Sequence, residues 1–210
     1  MAVSVRAGSG WTERLGVGER DWQKRLIIGI TGASGTIYGV RLLQVCRELG
    51  LEVHLCLSKA AELTLAYELE MKAAELRALA HKAYAPSDVG AAIASGSFRT
   101  RGMIVAPCSI RTMAEIATGV TSSALTRAAD VVLKERRPLV LMLRETPLHA
   151  GHLENLLKLA RLGAIIAPPV PAFYIRPKSV DDLVDHAIGR VLDLFDLDTD
   201  LPHRWREAEN

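Results

Sequence analysis

Short apolar runs alternate along the chain with longer segments in which apolar residues recur every three or four positions. The short runs, bounded by turn residues, are typical of buried strands, and the longer spacing is typical of amphipathic helices. Five strands are predicted, at residues 26–30, 53–57, 103–106, 139–143 and 164–167. Pro107 is expected to end the third strand, because proline has no N–H to donate to a neighbouring strand.

Helices are predicted in the segments between and after the strands. Ser58 and Ser179 are suitable N-caps for two of them, and Gly50 and Gly163 are suitable stops for two others. The predicted helices are residues 40–49, 59–69, 71–81, 109–118, 122–136, 149–162 and 180–195. Residues 83–100, rich in Ala, Gly and Ser, are predicted to be mostly loop. The alternation predicts an α/β fold: a single Rossmann-like domain with a doubly wound, mainly parallel sheet.

The composition argues against several classes of protein. The formal net charge is only +2, and no basic stretch is interleaved with aromatic residues, as a nucleic-acid-binding surface would require. The cysteines Cys46, Cys56 and Cys108 form no C-x-x-C pair, which argues against a disulfide framework and a zinc site. No apolar stretch is long enough to cross a membrane, and no secretory signal is evident. We therefore expect a cytoplasmic protein with a domain at residues 25–205, a flexible extension at 1–24 and a tail at 206–210.

Polar clusters follow four of the predicted strands. These clusters are residues 31–35, Ser58, residues 107–112, and Arg144 with Glu145. Because the carboxyl ends of parallel strands meet at one edge of a sheet, we expect a ligand site there. The glycines at 29, 32 and 35 match neither the dinucleotide fingerprint nor the P-loop, so a tight turn without a ligand stays open on this spacing alone. The predicted second strand ends with Leu57 and is followed by Ser58, where an NAD site would have an acidic residue. This difference favours a mononucleotide over NAD as the ligand.

Several other residues are candidates for chemistry. Four cations, Arg127, Lys134, Arg144 and Arg190, could clamp an anion, although charges on helices are often simply solvated. Cys108 has no histidine in its stretch and is interpreted as a small buried residue, not a nucleophile. His149 and His152 lack a visible third ligand, so no metal site is predicted.

Taken together, these stretches resemble the UbiX/Pad1-type flavin prenyltransferases over nearly all of residues 25–205. The shared blocks are IGITGASG at 28–35, SKAA at 58–61, ASGS at 94–97, APCS at 106–109, RAAD at 127–130, LKERRPL at 133–139, RETPL at 144–148, PVPAFY at 169–174, and Arg204 with Trp205. The resemblance implies a flavoprotein-type fold and an enzyme that joins the dimethylallyl group of dimethylallyl phosphate to reduced FMN, across N5 and C6. It also implies that no metal is needed, that a UbiD-type decarboxylase uses the prenylated FMN, and that the protein forms a homododecamer with active sites shared between subunits.

The resemblance also assigns roles by position. The implied flavin contacts are Gly32, Ala33, Ser34, Ser58, Ser109, Ile110, Arg111, Thr112 and Arg144. The implied contacts of the allylic phosphate are Lys134, Glu145, Tyr174 and Arg190, some of them from a neighbouring subunit. A departing phosphate needs cations and a phenol, whereas Glu68 with Ser34 could manage the proton that the flavin loses at C6. Arg127 and Trp205 are further candidates.

One departure leaves the prenyl donor open. Val89 stands where some members of the family have an aromatic residue that could steady a cation, and Trp205 or Tyr174 could compensate. Phosphate and pyrophosphate donors therefore both stay open.

Two alternative functions are weighed. A relative of the cysteine decarboxylases would want a histidine near the first helix and an asparagine after Pro107, and this chain has neither. A flavin-carrying subunit of an aromatic acid decarboxylase could lose the four residues implied for the allylic phosphate, and all four are present. The prenyltransferase is the favoured hypothesis.

Overall fold

A six-stranded parallel sheet forms the centre of the protein, which a computed structural model describes for residues 21–201. The strands are β1 (Arg25–Ile30), β2 (Glu52–Leu57), β3 (Lys82–Tyr84), β4 (Gly102–Cys108), β5 (Leu139–Leu143) and β6 (Ile165–Ile166). Their order in the sheet is β3-β2-β1-β4-β5-β6, and every adjacent pair is parallel. Strands β2 and β3 lie on one side of β1, and β4, β5 and β6 lie on its other side. The order in which the chain adds strands to the sheet therefore reverses between β1 and β4, and ligands are expected outside the carboxyl ends of these strands. The predicted doubly wound α/β fold is confirmed.

Seven α-helices cover the two faces of the sheet in the described part of the chain. They are α1 (Thr36–Glu48), α2 (Lys59–Leu69), α3 (Ala73–Ala78), α4 (Ile110–Thr118), α5 (Ala124–Lys134), α6 (Ala150–Arg161) and α7 (Val180–Asp193). Ser58 and Ser179 cap α2 and α7 through their side chains, as the sequence predicts. Short 3-10 turns lie at Asp21–Lys24, Ala92–Ala94 and Phe173–Ile175.

Two apolar clusters hold the layers together. Alternate residues of the central strands point to opposite faces, so Leu26 and Ile28 join one cluster and Ile27 joins the other. The first cluster packs α1, α2, α3 and α7 against the sheet, and the second packs α4, α5 and α6. Burial of both faces explains why the central strands read as continuous apolar runs.

The structure corrects the prediction that Pro107 ends the third strand. Strand β4 continues to Cys108, and the Ala106–Pro107 peptide bond is cis. The register of β4 against β5 shifts between Val105 and Cys108, so the proline lies at an irregularity of the ladder, where its missing N–H is tolerated.

One strand was missed, and the boundaries of several other elements differ from the predictions. Strand β3 lies at the start of the predicted loop and was missed because it has only three residues, two of them exposed at the sheet edge. The predicted helix at 71–81 shortens to α3, and α1 begins at Thr36, four residues before its predicted start at residue 40. Within residues 21–201, no helix has the length and apolar character needed to cross a membrane.

Residues 21–24 of the predicted extension form a 3-10 turn directly before β1. The rest of that extension, the predicted tail and Trp205 lie outside the described residues.

Candidate functional site

A cavity of about 680 Å³ opens at the carboxyl ends of β1, β2 and β4. Its size is in the range of small-molecule and cofactor sites. Residues from four of the predicted clusters line it together: Gly32, Ser58, Ser109, Ile110, Arg111, Thr112 and Glu145. The structure therefore brings together segments that lie more than a hundred residues apart in the sequence.

Three helices begin at this cavity, and each has a serine as its N-cap. Ser58 accepts a hydrogen bond from the N–H of Ala61, and Ser109 accepts one from the N–H of Thr112. Ser123, at the start of α5, accepts the N–H of Thr126. Since the amino terminus of a helix carries a partial positive charge and free N–H groups, three of them around one cavity favour an anionic group such as a phosphate.

Thr31 fixes the position of the glycine-rich turn against the end of β4. Its buried hydroxyl donates to the carbonyl of Pro107 at 2.8 Å and accepts the backbone N–H of Ser109 at the same distance. Gly32 then approaches α2 closely, because a Cβ there would lie 2.3 Å from the Cβ of Ala60. The turn can line the cavity only because residue 32 has no side chain.

Glu68 holds the start of α1. Its carboxylate accepts the N–H groups of Gly35 and Thr36 at 2.9–3.1 Å and the hydroxyl of Thr36 at 2.8 Å. Burial by itself would raise the pKa of Glu68, but hydrogen bonds from Ser34, Thr36 and Gly35 outweigh it and hold the pKa below its ordinary value. Glu68 is thus an ionised acceptor next to Ser34.

Replacement of Glu68 by glutamine is expected to lower the free energy of unfolding by about 1–3 kcal/mol at neutral pH, because hydrogen bonds to a charged acceptor are lost. The folded pKa is below its ordinary value of 4.5, so this stabilisation is fully present above that pH and disappears as the pH falls through the folded pKa. Urea unfolding at pH 7 and at the lowest pH at which both proteins fold measures the difference. The exposed Glu154, changed to glutamine, is the control, and a gap that does not depend on pH would contradict this role of Glu68.

Arg144 and Glu145 follow β5 at the same edge of the sheet. The backbone N–H of Arg144 donates to the carbonyl of Cys108 at 3.1 Å, and the Glu145 side chain accepts the N–H of Thr146 at 3.0 Å. Burial raises the pKa of Tyr38, and the positive charge of Arg144 partly opposes this rise. Glu145 lines the cavity, whereas Arg144, Ala33 and Ser34 lie within two residues of lining residues in the sequence and are not part of the lining formed by the described residues.

Lys134 lies far from the cavity of its own chain. It is the last residue of α5, whose first residue, Ala124, lines the cavity, and a helix of 11 residues spans about 16 Å. Its Nζ lies 2.5 Å from Oε1 of Glu135, and this pair adjoins Gly96 of the ASGS block. A patch of Lys134, Glu135 and Gly96 therefore forms at the opposite edge of the sheet.

The other predicted contacts of the allylic phosphate are also outside the cavity lining. Arg190, on α7, pairs with Asp193 at 2.7 Å, and Tyr174 shares a hydrogen bond of 2.8 Å with His186. Arg127 pairs with Asp130 at 2.7 Å. Within one chain, the structure brings Glu145 alone of the predicted phosphate contacts to the cavity.

Sequence reasoning missed part of the cavity wall. Tyr84, the last residue of β3, lines the cavity together with Pro86 and Ser87, which follow this strand, and with Ser122 and Ser123. The two serines before a helix were a usable signal, but Tyr84 ends a strand that is too short to recognise from the sequence. Cys108 is fully buried and burial raises the pKa of its thiol to about 12, in agreement with a packing role.

The histidine pair lies at the start of α6. The rings of His149 and His152 stack with centroids 3.5 Å apart, and His149 caps α6. Residues 21–201 contain no group of three or more His, Cys, Asp or Glu side chains arranged to hold a metal ion.

Comparison with known proteins identifies the family. The model of the family described as Flavoprotein matches residues 17–192. The flavin prenyltransferase UbiX of Escherichia coli K12 is 55% identical over 188 residues, which cover 88% of this chain and all of that protein.

Two solved structures are similar along most of their length. AnUbiX (PadA1) in complex with FMN and dimethylallyl pyrophosphate superposes with a TM-score of 0.86 at 49% identity, over 87% of this chain and 97% of that one. A dodecameric FMN-dependent UbiX-like decarboxylase from Escherichia coli O157:H7 has a TM-score of 0.84 at 50% identity, over 86% of this chain and 98% of that one. The chain belongs to the flavoprotein family and, within it, to the UbiX-type flavin prenyltransferases.

Proposed function

We propose that this protein transfers a dimethylallyl group from an allylic phosphate ester to reduced FMN and that the cavity at the carboxyl edge of the sheet holds the flavin. The observation that carries the proposal is the cavity itself, where three serine-capped helix starts meet the glycine-rich turn. The bound ligands of AnUbiX, FMN and dimethylallyl pyrophosphate, support the same pair of substrates here.

The residues of the cavity fit FMN. Free N–H groups at the starts of α2, α4 and α5 suit a phosphate. The hydroxyl of Ser58 also has a proton to donate, because its oxygen acts as the acceptor in the cap, whereas the hydroxyl of Ser109 donates to the hydroxyl of Thr112 at 3.2 Å. The apolar side chains of Ile110 and Leu125 offer surface for an aromatic ring system. Ala33, Ser34 and Arg144 are proposed to contact the part of the flavin that projects from the cavity.

Reduced FMN, when bound, supplies the electron-rich N5 and C6 atoms that accept the prenyl group. The task of the protein is to stabilise the departing phosphate while keeping water away from the allylic carbon. Lys134, Arg127 and Arg190 are proposed to provide positive charge for this anion, with Tyr174 as a hydroxyl donor. Glu145, at the cavity, would orient Lys134 or hold the proton that the phosphate receives.

The proposed phosphate contacts must come from more than one subunit. Lys134 lies about 16 Å along α5 from the cavity of its own chain, too far for a lysine side chain to cross. The dodecameric relative supports an assembly in which one subunit completes the site of another. We propose that this protein is a homododecamer and that Lys134 acts on the flavin of a neighbouring subunit.

Ser34 and Glu68 are proposed to handle the proton released from C6. The hydrogen bond between them links an exposed hydroxyl to an ionised carboxylate, so the hydroxyl can receive a proton when it passes its own to Glu68. We further propose that a UbiD-type decarboxylase in the cytoplasm receives the prenylated FMN. Val89 is 49% exposed and outside the cavity lining, so we expect it to influence donor choice only across a subunit contact.

The test is direct. Purified protein, FMN, a reductant and dimethylallyl phosphate are mixed without oxygen, and the mass of the flavin is measured. We expect the mass to increase by one dimethylallyl group less one proton, and a parallel reaction with dimethylallyl pyrophosphate establishes the preferred donor. An unchanged flavin mass with both donors would contradict the proposed function.

A further inference from the structure

A buried histidine lies on β2, the strand whose last two residues line the cavity, and it has no role in the proposed reaction. His54 is on β2, two residues before Cys56, which lines the cavity, and His54 itself is 3% exposed. Both side chains point to the same face of the sheet, because they are two residues apart on a strand. A buried polar ring in this place requires partners for both nitrogens.

Each nitrogen of His54 has one partner. Nε2 lies 3.0 Å from a carboxylate oxygen of Glu52, and Nδ1 lies 2.9 Å from the hydroxyl of Tyr84. Arg25 binds the other oxygen of Glu52 at 3.0 Å. Burial would raise the pKa of Glu52, but the hydrogen bonds from Arg25 and His54 hold it below its ordinary value, so the carboxylate is ionised.

These contacts determine where the protons are. An ionised carboxylate only accepts, so Nε2 of His54 carries the proton that Glu52 receives. Burial lowers the pKa of His54, which keeps the ring neutral, and Nδ1 must then accept the hydroxyl proton of Tyr84. The Tyr84 hydroxyl therefore points at His54 and is held there.

Two aromatic rings pack against the imidazole of His54 and restrict its rotation. The ring of Phe98 meets it edge to face with centroids 5.1 Å apart, and the Tyr84 ring lies nearly parallel to it at 5.9 Å. The guanidinium of Arg25 covers the Phe98 ring at 4.9 Å. The imidazole is thus fixed both by hydrogen bonds and by packing.

We propose that His54 is a positioning residue for the flavin: its hydrogen bond holds the Tyr84 ring as a wall of the cavity. Tyr84 lines the cavity and is 5% exposed, and its hydroxyl is turned away to His54. Without that partner, the buried phenol would turn towards the polar groups of the cavity and occupy part of the flavin's space. This inference rests on the proposed assignment of the cavity to FMN.

The test compares the FMN dissociation constants of His54→Phe, Tyr84→Phe and the double variant with that of the unchanged protein. His54→Phe leaves the Tyr84 hydroxyl without its partner, and Tyr84→Phe leaves Nδ1 without a donor, so each is expected to weaken FMN binding about tenfold. The double variant loses the same hydrogen bond as each single variant, so its dissociation constant is expected to rise by about the same tenfold and not by the product of the two effects.

The matched control is His81→Phe. His81, directly before β3, accepts the backbone N–H of Val53 at 3.2 Å and does not line the cavity. Its loss is expected to leave FMN affinity within about twofold, even where the melting temperature falls.

Two results would overturn the inference. In one, the single variants have lower melting temperatures but unchanged FMN affinity, which would make His54 a structural residue only. In the other, the effects of the two single variants multiply to about a hundredfold in the double variant, which would show that the two residues act on FMN binding independently. If His54→Phe does not fold, the FMN affinity of Tyr84→Phe is the deciding measurement. An unchanged affinity in that variant also overturns the inference. Failure of the unchanged protein to bind FMN would refute the proposed function instead, so the two are distinguishable.

Discussion

Replacement of Lys134 by alanine is expected to lower the rate of flavin prenylation about 100- to 1,000-fold while FMN stays bound with unchanged affinity. An amine that stabilises a departing phosphate contributes in the transition state, and removal of one such group typically costs this much in rate. FMN affinity is expected to persist because Lys134 is proposed to contact the phosphate of the prenyl donor and not the flavin, and because it lies at the opposite end of α5 from the cavity of its own chain. Single-turnover prenylation and FMN titration on the same preparation measure the two quantities.

Lys158 provides the matched control for Lys134. Both lysines lie in the last turn of a helix, so Lys158→Ala removes an equivalent charge from α6, and we expect its rate to stay within about twofold. A loss of FMN binding in Lys134→Ala would show that the flavin site is misassigned. A rate within fivefold of the unchanged protein would remove Lys134 from the reaction.

The same variant tests whether the site is shared between subunits. If Lys134 acts on a neighbouring subunit, then co-assembly of Lys134→Ala chains with Glu145→Gln chains should create some sites in which both residues are intact. Activity of the mixed assemblies above the sum of the two separate variants is the expected result. Activity equal to that sum would place both residues in the site of one chain.

Gly39→Ala is expected to have the largest effect on stability. Gly39 lies in α1 where the helix crosses the sheet, and a Cβ there would lie 2.5 Å from the carbonyl oxygen of Ala106 and 2.6 Å from Cδ1 of Ile30. The carbonyl oxygen of Ala106 belongs to the backbone of β4 and cannot move aside as the end of a flexible side chain can. The overpacking is therefore expected to lower the free energy of unfolding by about 3 kcal/mol. That cost corresponds to a decrease of roughly 6–12 °C in melting temperature, measured by circular dichroism or calorimetry.

Gly90→Ala is the control for Gly39→Ala. No atom lies within 4 Å of a Cβ built on Gly90, so its melting temperature is expected to stay within about 2 °C. Equal melting temperatures for the two variants would show that α1 can move away from β4 at little cost. Because α1 follows the glycine-rich turn, FMN affinity is expected to fall with stability in Gly39→Ala.

The apolar pattern of the sequence was sufficient for most of the fold. Strands β1, β2 and β5 lie within one residue of their predicted limits, and α2 agrees with its prediction. A central strand buried on both faces needs a continuous apolar run, and a helix packed on one side needs a repeat of three to four residues. These patterns are local, so they are readable without tertiary structure. Ser58 and Ser179 were readable as caps for the same reason.

The elements that were missed depend on contacts between distant residues. Strand β3 has only three residues and becomes a strand because β2 offers a free edge, and Pro107 is tolerated inside β4 because the register against β5 shifts there. The hydrogen bonds of Thr31 with Pro107 and Ser109 cross more than seventy positions. No local pattern contains that information.

The candidate site shows the same division. The chemistry of some of its residues, the glycine-rich turn, the cap at Ser58 and a set of cations, was evident from the sequence, because residue type and position along a helix or strand determine which groups can bind an anion. The sequence also predicted that the clusters containing Ser58, Ser109 and Glu145 meet at one edge of the sheet. Tertiary structure alone decided that Glu145 lines the cavity while Lys134 lies away from it. Distances between side chains follow from how helices pack on the sheet, and this packing is a property of the whole chain.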